Sequence, residues 1–173
     1  MAVGNLEFIK SASGTASTLS VTDCFSDKYD VYQLIVTNYE NTTGTTNYRI
    51  RLLDSVGSPI TALEYDIATL IVDSSAAFTE TRNTGLGYIQ YFPTNTSGLD
   101  IGLGTSIYVF NPNDSSSYTF LKWAGSSWFN TRLVGYNGIA VHKSAEQITG
   151  FQVFGSAGTM DNFAVSVYGL ASK

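Results

Sequence analysis

The sequence predicts an all-β protein, a single antiparallel β-sandwich of jelly-roll-like connectivity spanning residues 1–173. Three observations predict it. Apolar and polar residues alternate with period two along most of the chain, and the alternating runs are rich in β-branched and aromatic residues. Clusters of Gly, Asn, Asp and Ser then punctuate those runs at intervals suited to antiparallel meanders. A sandwich buries the apolar face of each such sheet without helices.

Alternation is clearest in Asn47 to Leu52, where Tyr48, Ile50 and Leu52 face one way and Asn47, Arg49 and Arg51 the other. Val31 to Thr37, Gly104 to Phe110, Tyr118 to Trp123, Ile148 to Phe154 and Phe163 to Tyr168 read likewise, and Leu6 to Lys10 and Thr18 to Val21 add two strands near the start. Turns are expected at Asn41 to Thr46, Asp54 to Pro59, Asn95 to Gly98, Asn111 to Ser117, Gly125 to Ser127 and Gly155 to Asp161. Asn137-Gly138, between Leu133 to Tyr136 and Ile139 to His142, fits a two-residue type I′ hairpin. Ile60 to Ala77 is ambiguous: Leu63, Ile67, Leu70 and Ile71 recur at helical spacing while Tyr65, Ile67 and Thr69 alternate, which leaves a short helix open. No linker, heptad or internal repeat divides the chain, so one domain is expected.

Composition narrows the function. Charged residues make up only 13% of the 173, against about 25% in an ordinary globular protein. The surface must therefore be largely Ser, Thr, Asn and Gly, which suits close packing against neighbours. Lys and Arg number 9 against 14 acids, for a net charge of −5, so there is no basic footprint for nucleic acid or anionic lipid. No apolar stretch approaches the length of a membrane span, and the start lacks a signal-peptide pattern; a soluble chain made in the cytoplasm is expected. The lone Cys24 reads as a small buried apolar residue.

The segment Cys24-Phe25-Ser26-Asp27-Lys28-Tyr29-Asp30-Val31-Tyr32-Gln33-Leu34-Ile35-Val36 has a recognisable form: Phe-Ser, then Tyr-Asp-x-Tyr, then a Leu-Ile-Val run. It resembles a recurrent β-sandwich module in virion proteins of tailed bacteriophages, marine and cyanobacterial ones especially. Ser106-Ile107-Tyr108-Val109-Phe110-Asn111-Pro112 is similar to a strand ending in Asn-Pro in that module. Ile148 to Phe154 and Phe163 to Leu170, the latter holding Tyr168-Gly169, resemble its last two strands. The likeness does not extend to Ile60 to Asn95. It implies a virion structural role, as a capsid decoration or as part of a tail fibre or tail spike, and supplies no catalytic residues.

Candidate sites are few. His142, the only histidine, has no nucleophile elbow to serve, and one His with one Cys falls short of a zinc set without several carboxylates; a surface or strand-end histidine is expected. Asp23, Asp27 and Asp30 could offer hard oxygen ligands to calcium, but their spacing matches no calcium loop and reads as a solvated, turn-capping segment. Asp66, Asp73 and Glu80 could supply a glycosidase pair only if two of them stand about 5–10 Å apart. In Trp123-Ala124-Gly125-Ser126-Ser127-Trp128-Phe129, aromatic rings around a Gly-Ser turn suit contact with a partner or a sugar; Trp123 is expected to roof the core, with Trp128 and Phe129 as contact residues. Asn41, Asn95 and Asn113 match the glycosylation pattern, which a bacterially made chain leaves bare.

The expectation is a virion protein, not an enzyme, with no cofactor and no metal. It would act by contact with the major capsid protein or tail proteins and with its own copies, as a homo-oligomer such as a trimer. Capsid decoration is the leading role, and a tail-fibre module recognising a host glycan is the alternative.

Overall fold

The computed structural model describes residues 6–42, 47–75, 78–92, 104–129 and 132–171, without the side chains of residues 91, 92 and 129. These residues form an all-β sandwich of antiparallel sheets. The strands are β1 (Leu6–Ala16), β2 (Thr18–Val21), β3 (Val31–Thr37), β4 (Glu40–Asn41), β5 (Tyr48–Leu53), β6 (Tyr65–Asp73) and β7 (Phe78–Leu86). They continue as β8 (Ile89–Phe92), β9 (Gly104–Phe110), β10 (Thr119–Phe129), β11 (Arg132–His142), β12 (Gly150–Gly155) and β13 (Met160–Leu170). The large sheet runs β1-β13-β3-β9-β10-β11-β6-β7, with β4 also on β13, and the small sheet runs β2-β12-β5-β8.

The two halves of the chain pair in nested order: β1 with β13, β2 with β12, β6 with β11. This is the wrapping of a long hairpin around a barrel-like core, and it agrees with jelly-roll-like connectivity. Alternation decides which residues turn inward. From the large sheet come Leu34, Ile107, Val109, Leu121, Trp123, Val165 and Val167, and from the small sheet Ile50, Leu52, Phe151 and Val153, all buried in one cluster. Aromatic side chains of the connecting loops pack onto the small sheet, with Tyr39 to Tyr48 at 4.8 Å and Phe25 to Phe151 at 6.1 Å between ring centroids.

Expected strands at Val31 to Thr37, Gly104 to Phe110 and Thr18 to Val21 form with those bounds, and the turns at Asp54, Asn111 and Gly155 are also present. Asp54 illustrates the turn chemistry: its carboxylate accepts the Val56 and Ser58 backbone N–H at 2.9 and 2.8 Å, while Gly57 takes a φ of 79°. Asn95 to Gly98 lies outside the described residues. The ambiguous stretch resolves as strand over Tyr65–Asp73, because β11 offers it a complete antiparallel ladder and Tyr65, Ile67 and Thr69 are the side chains buried.

Two expected turns are corrected. Asn137-Gly138 is not a hairpin: β11 runs straight through it, with Asn137 opposite Ala124 and Gly138 opposite Trp123. Gly138 is needed for space rather than for positive φ, since a Cβ there would lie 2.1 Å from Cζ2 of Trp123. Gly125 to Ser127 is likewise interior to β10, paired with Val134 to Tyr136. The short chemistry of a turn and the flat surface under a large ring call for the same residue.

The segment between β2 and β3 is stapled by Tyr32. Its hydroxyl accepts the Ser26 N–H at 2.7 Å and donates to the Ser26 carbonyl at 2.8 Å, while its ring packs edge-on to Phe25 and Tyr29. Tyr32→Phe should cost about 1–3 kcal/mol in urea unfolding, because both Ser26 backbone groups lose a partner in a partly buried place. Gly138→Ala should cost about 1–3 kcal/mol by overpacking Trp123, whereas Gly104→Ala, where an added Cβ meets nothing within 4 Å, should leave the midpoint within about 0.5 kcal/mol of the parent.

Candidate functional site

The outer face of an antiparallel sandwich sheet is ordinarily polar, because it faces water. Here β10, β11 and β6 carry large apolar side chains outward among polar ones. Their register aligns outward side chains in rows: Phe110, Phe120 and Val141; then Tyr108, Lys122, Ile139, Ala68 and Arg82; then Ala124, Asn137, Leu70 and Glu80. Val72 and Phe78 extend the face further along the same strands. Ile139 is 58% exposed, Phe120 48% and Leu70 46%. Phe120, Ile139, Leu70 and Val72 thus put a run of large apolar side chains on one exposed face.

The face is grooved. One depression of about 700 Å³ lies between β11, β6 and β7, lined by Leu70, Glu80, Arg82, Asn137 and Ile139. A second, of about 460 Å³, adjoins it across Ala68 and Ile139 and is lined by Phe110, Phe120, Lys122 and Val141. At its margin, Lys143 pairs with Asp66 at 2.8 Å, and this bond with the Gly85 N–H holds the Asp66 carboxyl below its ordinary range.

The aromatic segment divides between the two faces. Trp123 and Trp128 stand five positions apart on one strand, so alternation turns them to opposite sides. Trp123 is buried under the sandwich as expected, and Trp128, 39% exposed, stands outside opposite Leu133. The intervening Gly-Ser stretch is strand, which corrects the picture of two tryptophans around a turn. Phe129 closes β10 opposite Arg132, and its side chain lies outside the described part.

The acidic candidates are dispersed. Asp66 and Glu80 share the outer face, but Glu80 stands opposite Leu70, four residues along β6, a separation of about 13 Å along the strand. Asp73 has the opposite parity on β6 and pairs with Arg132 at 3.4 Å. No glycosidase pair is assembled from these three. In the aspartate loop, Lys28 turns away to Glu7 at 2.7 Å, and Asp23 takes a positive φ of 52°.

His142 ends β11 as expected but is fully buried, which corrects the surface reading. The inward parity of the strand carries it under Tyr65, with ring centroids 4.9 Å apart. Its Nε2 lies 3.2 Å from Oε2 of Glu64 and 3.6 Å from Oε1 of Glu146. Among the described residues this is the set of His, Cys, Asp and Glu side chains whose ligand atoms converge. Glu146 was visible in sequence four residues from His142; Glu64 was not, because only the β6–β11 ladder brings it there.

The sequence matches no protein-family model and no curated protein. Solved structures with a similar fold include an exo-inulinase from Aspergillus awamori, with 11% identity, a TM-score of 0.47, and coverage of 98% of this chain and 30% of that one. The PL-14 alginate lyase from Aplysia kurodai shows 9% identity and a TM-score of 0.34 over 84% of this chain and 70% of that one. The CBM2 module of the evolved Dit of Lactobacillus casei BL23 phage J-1 shows 11% identity and a TM-score of 0.27 over 90% and 69%. This chain thus spans less than a third of the exo-inulinase, and the likenesses concern the β-sandwich fold. They correct one expectation. The expectation that the chain is not an enzyme does not stand, since the solved structures it is similar to include an exo-inulinase and an alginate lyase.

Cys24 is buried, as expected, and burial pushes its thiol from its ordinary value up to about 12. At pH 8 the thiolate is then scarce as well as covered, so a disulfide reagent should label native protein orders of magnitude more slowly than protein in 8 M urea. Labelling should accelerate as pH rises toward that value, and equal rates with and without urea would contradict the burial.

Proposed function

We propose that the chain is a structural component of a tailed-phage virion, decorating the capsid surface as a homo-oligomer and acting by protein–protein contact through the outer face of its large sheet. The single observation that carries this reading is the exposed apolar face around Phe120, Ile139 and Leu70, on a sheet side that solvent alone would make polar. Two further features support it. The charge-poor surface lowers the side-chain entropy lost on assembly, and the residues that resemble phage virion modules fall on β3, β9, β12 and β13 and on the loops that join them. A decoration that binds assembled shells and not free subunits stabilises them by mass action.

Phage assembled without the chain should form heads that lose DNA at lower temperature than the parent while adsorbing normally. Added back, the purified protein should restore heat resistance, and Phe120→Glu or Ile139→Lys should weaken its co-sedimentation with such heads at least tenfold while circular dichroism stays unchanged. Both side chains are half exposed, so folding is not at risk. Heads of parental stability that fail to adsorb, with Trp128→Ala reproducing the failure, would instead assign the chain to glycan recognition by a tail fibre.

A further inference from the structure

We infer that Glu64, His142 and Glu146 form a binding site for a divalent transition-metal ion, Zn²⁺ by the chemistry of its donors. The site is independent of the contact face. One imidazole nitrogen and two carboxylate oxygens are a donor set for borderline divalent ions rather than for calcium, which takes oxygen alone.

The distances are those of a coordination shell. Four ligands held tetrahedrally about 2.1 Å from a zinc ion stand about 3.4 Å from one another. Nε2 of His142 lies 3.2 Å from the Glu64 oxygen and 3.6 Å from the Glu146 oxygen, and all three ligand atoms fall within 4.8 Å of one another. The imidazole is fully buried and fixed by the Tyr65 ring, whereas the carboxylates are partly exposed, at 39% and 34%, and can close the remaining gap by rotating about their side-chain bonds. The first donor is therefore held in place and the other two are adjustable.

A proton on Nε2 is the competing occupant of this position. It can form a hydrogen bond to Glu64, but Glu146 at 3.6 Å lies beyond hydrogen-bond reach. The nearest lysine in sequence, Lys143, is engaged by Asp66 at 2.8 Å and does not serve the two glutamates. A metal ion satisfies both carboxylates at once. It would also join three segments: Glu64 ahead of β6, where its carbonyl accepts the Lys143 N–H at 2.9 Å, His142 at the end of β11, and Glu146 in the loop toward β12.

The test is calorimetric titration of ZnCl₂ into the full chain after chelator treatment, with thermal unfolding in parallel. One saturable site per chain is expected, with a melting temperature that rises on addition of Zn²⁺ and falls back with chelator. Glu64→Gln and Glu146→Gln, both on partly exposed side chains, should each weaken Zn²⁺ at least tenfold, and CaCl₂ should bind at least tenfold more weakly than ZnCl₂. Because His142 is buried and its replacement could unfold the chain, its role is read in the intact protein from a shift of its Nε2 resonance in ¹⁵N NMR on addition of Zn²⁺. Absence of a one-to-one site, Gln variants that bind as the parent does, an unmoved Nε2 resonance, or calcium binding as tight as zinc would each overturn the inference.

Discussion

The hydroxyl of Tyr32 holds together the end of the sandwich on which the rest of the packing depends. Chain entering β3 must cross from the small sheet to the large one, and a crossing leaves backbone groups without a ladder. Tyr32 satisfies both polar groups of Ser26, and the neighbouring Cys24 and Phe25 N–H groups both donate to the Thr149 carbonyl at 3.0 and 3.1 Å. Asn111 donates to Asp30 at 2.7 Å, and Ile148 donates to Pro112 at 2.7 Å. Three loops, from distant parts of the chain, are thus closed on one another by backbone bonds. Gly169 completes the arrangement: a Cβ there would stand 2.4 Å from the Tyr29 ring, so only glycine lets that ring lie flat on β13.

This geometry gives the segment from Cys24 to Val36 and its partners a physical meaning. Phe25, Ser26, Tyr29, Tyr32, Asn111, Pro112, Ile148 and Gly169 are scattered in sequence and meet at this one end. They are structural residues of the loop closure, so that pattern reports how this end folds. Function is free to vary on surfaces they do not touch. The outer face of β10, β11, β6 and β7 is such a surface.

How much was legible follows from which interactions are local. Alternation reports the two faces of a strand, so β3, β5, β9 and the buried side of β13 could be read directly. Trp123 was expected to roof the core and does, whereas the outward turn of Trp128 needed β10 to be continuous. Glycine misled the reading because sequence does not distinguish a residue that needs positive φ from one that needs an empty Cβ position. Asn137-Gly138 carries the pattern of the first and the purpose of the second, since only the pairing of β11 with β10 places Trp123 over it. His142 was misplaced for a similar reason. Its burial and its partner Glu64 come from the nested pairing of β6 with β11, seventy-eight positions apart, and no local pattern carries that information.

The strand β11 joins the two surfaces that matter and also keeps them apart. Ile139 and Val141 point outward into the groove, whereas Ala140 and His142 point inward, so alternation along four consecutive residues puts the contact face and the metal-ligand cluster on opposite sides of one sheet. Side chains on opposite faces of a strand share no partners, and their substitutions are expected to act additively. Loosening the Glu64 and Glu146 end would reach the groove through the β11 backbone, which Phe120 to Trp128 on one side and Asp66 to Asp73 on the other hold in continuous ladders, and through Lys143, whose N–H bonds the Glu64 carbonyl while its ammonium pairs with Asp66 at the groove margin. The two faces are therefore separate in their side-chain contacts along the strand and joined through the β11 backbone and the Lys143–Asp66 pair.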